Sequence, residues 1–165
     1  MSLLRHRFAL RFALAALVVA VVGYGLLAPG SRVTVAPPLP HAALQGGPVT
    51  IRALRGHAEA IVFYASWCGP CKREAPAVER FARTAGRGQL IAVDYTDYGN
   101  VHGFLSRYHW TFPVLSDPNG TTGAAYELSV GLPSWVFVNP RGDIVARASG
   151  AQSVSALTRD LAAAA

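Results

Sequence analysis

The stretch AIVFYASWCGPCKREAP, Ala60 to Pro76, constrains this chain more than any other. Its first part, Ala60 to Ser66, is nearly continuous in apolar residues, which suits a central strand buried on both faces. Its second part carries the only two cysteines, Cys68 and Cys71, where a helix is expected to begin. Ala75, Val78, Phe81 and Ala82 then recur at helical spacing, and Gly86 reads as a stop, with Pro76 expected to bend the first turns. A sulfur at a helix N-terminus sits among unpaired N–H groups at the positive end of the macrodipole, and both favour an anion. Such a thiol ionises well below its usual value of about 8.5, in the range of roughly 3.5–7.5. Cys71, one turn later, is near enough to close a disulfide with Cys68 or to attack a mixed disulfide formed on it. Pro70 stands in the first turn, where its missing N–H costs nothing.

Other uses of two cysteines fit less well. A purely structural disulfide across so short a loop removes little chain entropy and stabilises weakly. A structural zinc site needs about four ligands. The five histidines show no ligand-spaced pair, and there is no second Cys-x-x-Cys. The reading is a redox dithiol that needs no cofactor or metal beyond the Cys68–Cys71 disulfide.

The 165 residues allow one ordinary domain and something short at an end. Of the net charge of +6, Arg5, Arg7 and Arg11 supply half, clustered ahead of the uncharged run Phe12 to Ala28. Seventeen helical residues span about 25 Å, close to a bilayer's hydrocarbon thickness. Two outcomes fit: a retained anchor, or a signal cut after Ala36. Both put the positive N-terminus inside and the rest outside the cytoplasm, in an oxidising compartment. Arg73, Arg80, Arg83 and Arg87 spread along one helix as a solvated face. No basic block interleaved with aromatics is present, so nucleic-acid binding is not expected.

The expected divisions are a basic cytoplasmic N-terminus (1–11), a transmembrane signal-anchor (12–28), a Pro/Gly-rich tether (29–41) and a domain over 42–165. Within the domain VTIRAL alternates like a half-buried strand, and Gln89 to Tyr95 reads as a second buried strand. NVHGFLSRYH reads as a helix, FPVLSD as a short segment and GTTGAAYEL as a short helix. SWVFVN and DIVARAS read as strands joined by the turn Asn139 to Gly142. A last helix follows Ser153 as N-cap, with Val154, Leu157 and Leu161 as its buried stripe. Strands alternating with helices and ending in a hairpin indicate an α/β sandwich with a mixed sheet.

WCGPCK after a strand resembles the active site of the thioredoxin fold, and GLPSWVFVNPRGDIVARASG resembles that fold's cis-proline loop and hairpin. More narrowly, GPVTIRALRGHAEAIVFYASWCGPCKREAP is similar to the membrane-anchored TlpA/ResA-like thiol-disulfide oxidoreductases, as is FLSRYHWTFPVLSDPNGTTGAAYELSVGLP. The resemblance covers about Ala42 to Ala165. It implies a thioredoxin-like three-layer sandwich preceded by one transmembrane helix. Cys68 would attack and Cys71 resolve, and a cis bond before Pro133 would set the loop beside Cys68, where edge backbone of Leu132, Ser134 and Trp135 would meet substrate. Glu74 matches the family's glutamate, and a buried carboxyl there would have a raised pKa and move the Cys71 proton.

Three positions depart from the pattern. Val62 stands where cytosolic thioredoxins carry a buried aspartate, which leaves Glu74 as the proton acceptor. Trp135 stands where a small hydroxyl residue is common, and its indole fits either a narrowed groove or the core. Gly69 replaces a more varied residue, while Trp67 is expected to cover the site apolarly.

The implied partners are extracytoplasmic protein dithiols and disulfides, with a transmembrane electron donor if the protein reduces them. A monomer is expected, and cytochrome c maturation is the associated process. Electron flow in the oxidative direction, and a copper-binding role on the same fold, are the alternatives to this reading.

Overall fold

The computed structural model describes residues 34–128 and 131–165. Among them lie β1 (Thr34–Val35), β2 (Ala43–Gln45), β3 (Glu59–Tyr64), α1 (Gly69–Arg83), β4 (Leu90–Tyr95) and α2 (Val101–Tyr108). β5 (Val114–Asp117), α3 (Thr121–Ala125), β6 (Ser134–Val138), β7 (Asp143–Ser149) and α4 (Val154–Ala164) complete the chain. The basic N-terminus and the anchor expected over 12–28 lie outside the described residues. Among the described residues no helix is long and apolar enough to cross a membrane.

The strands form one mixed sheet in the order β1-β7-β6-β3-β4-β5-β2. β3 lies near its centre, parallel to β4 (Ala60 opposite Leu90) and antiparallel to β6 (Ala60 opposite Phe137). Every residue of β3 is buried, as its continuous apolar run requires. Alternation then divides the core into two faces. Ala60, Val62 and Tyr64 pack with Ala75, Val78 and Phe81 of α1, Phe104 and Leu105 of α2, and Leu157 and Leu161 of α4. Ile61 and Phe63 face the other way, onto Ile91, Val93, Leu115, Tyr126 and Val136. This is a thioredoxin-like α/β fold.

The helices begin where their side chains supply acceptors for unpaired N–H groups. Asn100 Oδ1 accepts from Gly103 N at 2.8 Å, and Ser153 Oγ accepts from Ala156 N at 3.1 Å, the latter as expected. The β6–β7 turn closes through Gly142, whose φ of 91° is available to glycine at no steric cost.

Two expectations need correction. VTIRAL is not a strand: Ile51–Leu54 forms one turn of 3₁₀ helix, with Thr50 Oγ1 accepting from Ala53 N at 3.3 Å. Ile51 and Leu54, three apart, both pack on the second core face, so alternation and a single helical turn bury overlapping sets of residues. The sheet also begins ahead of Ala42. Thr34 and Val35 pair with Ile144 and Asp143, and Ala36 N donates to Gly142 O at 2.8 Å. Ala36 and Leu39 are buried, and Tyr126 Oη donates to Pro37 O at 2.8 Å. The proline-rich segment thus crosses the second face from one sheet edge to the other, where Ala43–Gln45 pairs with β5. Proline suits such a path because an edge segment can spare an N–H.

Candidate active site

β3 ends at Tyr64, and the chain turns through Ala65, Ser66 and Trp67 into α1. Cys68 is the N-cap of that helix, and its Sγ accepts from Cys71 N at 3.2 Å. Pro70 falls within the first helical turn, where no backbone donor is lost. Cys68 and Cys71 are joined as a disulfide with their Cα atoms 5.2 Å apart, and each is 3% exposed. Cys68 Sγ also lies 3.4 Å from the carbonyl oxygen of Leu132.

That carbonyl belongs to the Leu132–Pro133 bond, which is cis. Pro133 O accepts from Gly150 N at 2.8 Å, so the end of β7 holds the loop in place. Ser134 Oγ donates to Gly131 O at 2.9 Å and the residue is 5% exposed. Leu132 and Pro133 are thus brought to the sulfur, whereas the Ser134 hydroxyl is engaged within its own loop.

Of the two places open to the Trp135 indole, a narrowed groove or the core, it takes the core. It is 1% exposed, sits opposite Val62 across β3–β6, and packs edge-on against Phe81. Strand alternation sends it to the helix-covered face. Its Nε1 donates to Glu74 Oε1 at 3.0 Å, and Gln152 N donates to the same oxygen at 2.5 Å. Burial pushes the Glu74 carboxyl up to about 7, and these two donors keep it from rising further. Glu74 stands three residues after Cys71, a spacing that makes them neighbours on one helical face. The carboxylate absent at Val62 is therefore matched by one reaching in from α1, tethered to Val62's own cross-strand partner.

Residues 94–98 add a support that the sequence did not single out. The Asp97 carboxylate accepts from Ser66 N, from Ser66 Oγ at 2.9 Å and from Gly99 N at 2.6 Å, fixing the loop that leads into Cys68. Burial raises the Asp97 pKa, but hydrogen bonds from Asp94, Ser66 and Gly99 outweigh it and leave the group below its usual value. Asp94, buried behind it, is pushed up to about 8 by burial and then by Asp97. The Asp-Tyr-Gly run at 97–99 is a turn signal that would have found this anchor, because aspartate bonds backbone two residues on. Trp67 is 40% exposed and stacks on Tyr98, so it flanks the cysteines only in part. Gly69 and Lys72 are solvent-facing.

A mixed α/β sheet with a cysteine pair at a helix N-terminus, opposite a cis-proline loop, defines a thioredoxin-fold dithiol–disulfide protein. The chain belongs to the Redoxin family, whose profile matches residues 26–162. It is 33% identical over 113 residues to the thiol-disulfide oxidoreductase ResA of Oceanobacillus iheyensis, covering 66% of this chain and 58% of that protein. The chain therefore spans less than two thirds of this relative's length. Among solved structures it is similar to a thiol:disulfide interchange protein DsbE from Chlorobium tepidum, with a TM-score of 0.68 and 26% identity, covering 81% of this chain and 97% of that one. It is also similar to a secreted Mycobacterium tuberculosis disulfide oxidoreductase homologous to E. coli DsbE, with a TM-score of 0.62 and 26% identity, covering 76% and 95%.

Proposed function

We propose that this protein is a thiol-disulfide oxidoreductase that reduces protein disulfides outside the cytoplasm. The observation that carries the reading is Cys68 at the cap of α1, bonded to Cys71 and facing the Leu132 carbonyl. In the reduced protein the Cys68 thiolate attacks one sulfur of a substrate disulfide, and the other sulfur leaves as a thiolate and takes a proton. The Cys71 thiol then gives its proton to the Glu74 carboxylate, and its thiolate attacks Cys68 of the mixed disulfide. The second substrate sulfur leaves, and two electrons have passed from the dithiol to the substrate. The backbone around Leu132 and Pro133 offers an extended substrate segment its hydrogen bonds.

The Phe12–Ala28 run is the membrane anchor in this reading, with residues 1–11 cytoplasmic and the folded domain outside. The similarity to a secreted oxidoreductase supports that side of the membrane. An oxidising compartment would keep the pair oxidised, so sustained reduction needs a transmembrane electron donor. Keeping cytochrome c apoprotein cysteines reduced for haem attachment is a fitting task. A redox titration of the domain tests the direction. A potential near about −270 mV or below is expected, and one near about −120 mV would make the protein an oxidant instead.

A further inference from the structure

A second surface adjoins the cysteines. Trp67 and Lys72 on one side and α2 with the loop before it on the other enclose a groove of about 620 Å³. The Trp67 ring that lines it stacks on Tyr98, with ring centroids 5.0 Å apart and planes 10° apart. Tyr98 is 81% exposed. The two stacked rings form an exposed apolar patch next to the turn that carries Cys68.

Apart from the Asp97 carboxylate, the charges beside those two rings are positive. From Trp67 to Arg73 and from Tyr98 to His109 the sequence has no Asp or Glu. Lys72, Arg73 and Arg107 are exposed there, and none of them takes part in an ion pair among the described residues. The Arg107 guanidinium stands 5.9 Å from the centroid of the Tyr108 ring, which places it on the groove. Arg73 Nη1 comes within 3.6 Å of where a Cβ on Gly69 would stand, so a second guanidinium lies by the residues between the cysteines. The neighbouring Asp97 carboxylate is occupied by Ser66 and Gly99.

We propose that this groove docks an acidic segment of the substrate protein beside its reactive cysteine, with carboxylates on Lys72 and Arg107 and adjoining side chains against Trp67 and Tyr98. This specificity rests on the oxidoreductase reading above. A peptide is the occupant rather than another polyanion because the groove shares Trp67 with the turn that carries Cys68. A chain held there by a mixed disulfide must run along one of its banks. Unpaired cations around a reaction centre also speed the encounter with an acidic partner, and added salt removes that gain.

The test uses the reduced protein and two peptides, each with one cysteine activated as a 2-pyridyl disulfide, flanked by aspartates in one and lysines in the other. Cys68 displaces pyridine-2-thione, which absorbs light, and Cys71 then releases the peptide thiol as the Cys68–Cys71 disulfide forms. At low salt the acidic peptide is expected to react about tenfold faster or more, with the ratio approaching one as salt rises. Arg107→Glu should abolish or reverse the preference, and Arg107→Lys should largely retain it. With neutral 2,2′-dipyridyl disulfide, wild type and Arg107→Glu should agree within about twofold. Equal rates for the two peptides, or a preference that survives Arg107→Glu, would overturn the groove's role while leaving the oxidoreductase reading intact. No reaction even with the neutral disulfide would overturn both.

Discussion

Trp135 Nε1 donates to Glu74 Oε1 at 3.0 Å, tying the strand that follows the cis proline to the helix that carries the cysteines. A carboxyl with a pKa of about 7, one turn past Cys71, can take up and release a proton at neutral pH. In the wild type, resolution of a mixed disulfide on Cys68 is expected to accelerate as pH rises through about 7. Glu74→Gln should slow that step by about 10²-fold and remove this inflection. Trp135→Phe removes a donor that favours the ionised carboxyl, so its inflection should move to higher pH. Stopped-flow release of a labelled peptide from the mixed disulfide, measured across pH, distinguishes this from a structural role, which would change amplitude without moving the inflection.

Buried carboxyls also set how stability depends on pH. Burial raises Glu59 to about 8 and Asp94 to about 8, and Glu74 to about 7, from ordinary values of 4.5, 3.8 and 4.5. Between roughly pH 4 and 8 the folded domain keeps protons that the unfolded chain has released, so stability falls as pH rises through that window. The melting temperature is expected to be at least about 3 °C lower at pH 8.5 than at pH 5.5, a shift that corresponds to about 1 kcal/mol. Glu59→Gln should flatten the dependence in thermal melts followed by circular dichroism. Asp97, whose pKa is lowered, acts in the opposite sense, and its contribution is lost only in acid.

Asp117 joins β5 to α3. Its carboxylate accepts from Gly123 N at 2.8 Å, Thr122 N at 3.2 Å and Thr121 Oγ1 at 3.3 Å, and it is 2% exposed. Asp117→Ala leaves buried donors unpaired and should cost about 1–3 kcal/mol in urea unfolding. The slope with denaturant should be unchanged, and so should the reactivity of the cysteines.

What the sequence made legible follows from the range over which each signal acts. The run into Cys68, the hairpin through Gly142 and the Ser153 cap are local patterns, and each element forms where its residues imply. Thr34–Val35 and Ala43–Gln45 are too short to show a period and are flanked by prolines and glycines, so only their pairing partners reveal them as strands. The Trp135–Glu74 bond joins residues 61 positions apart, and the alternatives of groove or core for Trp135 were decided by strand register. Asp97 reaches Ser66 across 31 positions for the same kind of reason. Glu74 and Pro133 could be singled out because a family resemblance carried information that spacing alone did not.

The most direct test of the account exchanges each cysteine in turn. Reduced Cys71→Ser and Cys68→Ser variants are incubated with a peptide disulfide near neutral pH, and the adducts are weighed by mass spectrometry. Cys71→Ser is expected to accumulate a mixed disulfide on Cys68, because the helix N-terminus stabilises that thiolate. Cys68→Ser should react at least about tenfold more slowly, its remaining sulfur lying inside the helix rather than at its N-cap. A faster adduct on Cys71, or no adduct on Cys68 while it is still alkylated by iodoacetamide, would contradict the assignment of Cys68 as the attacking thiol.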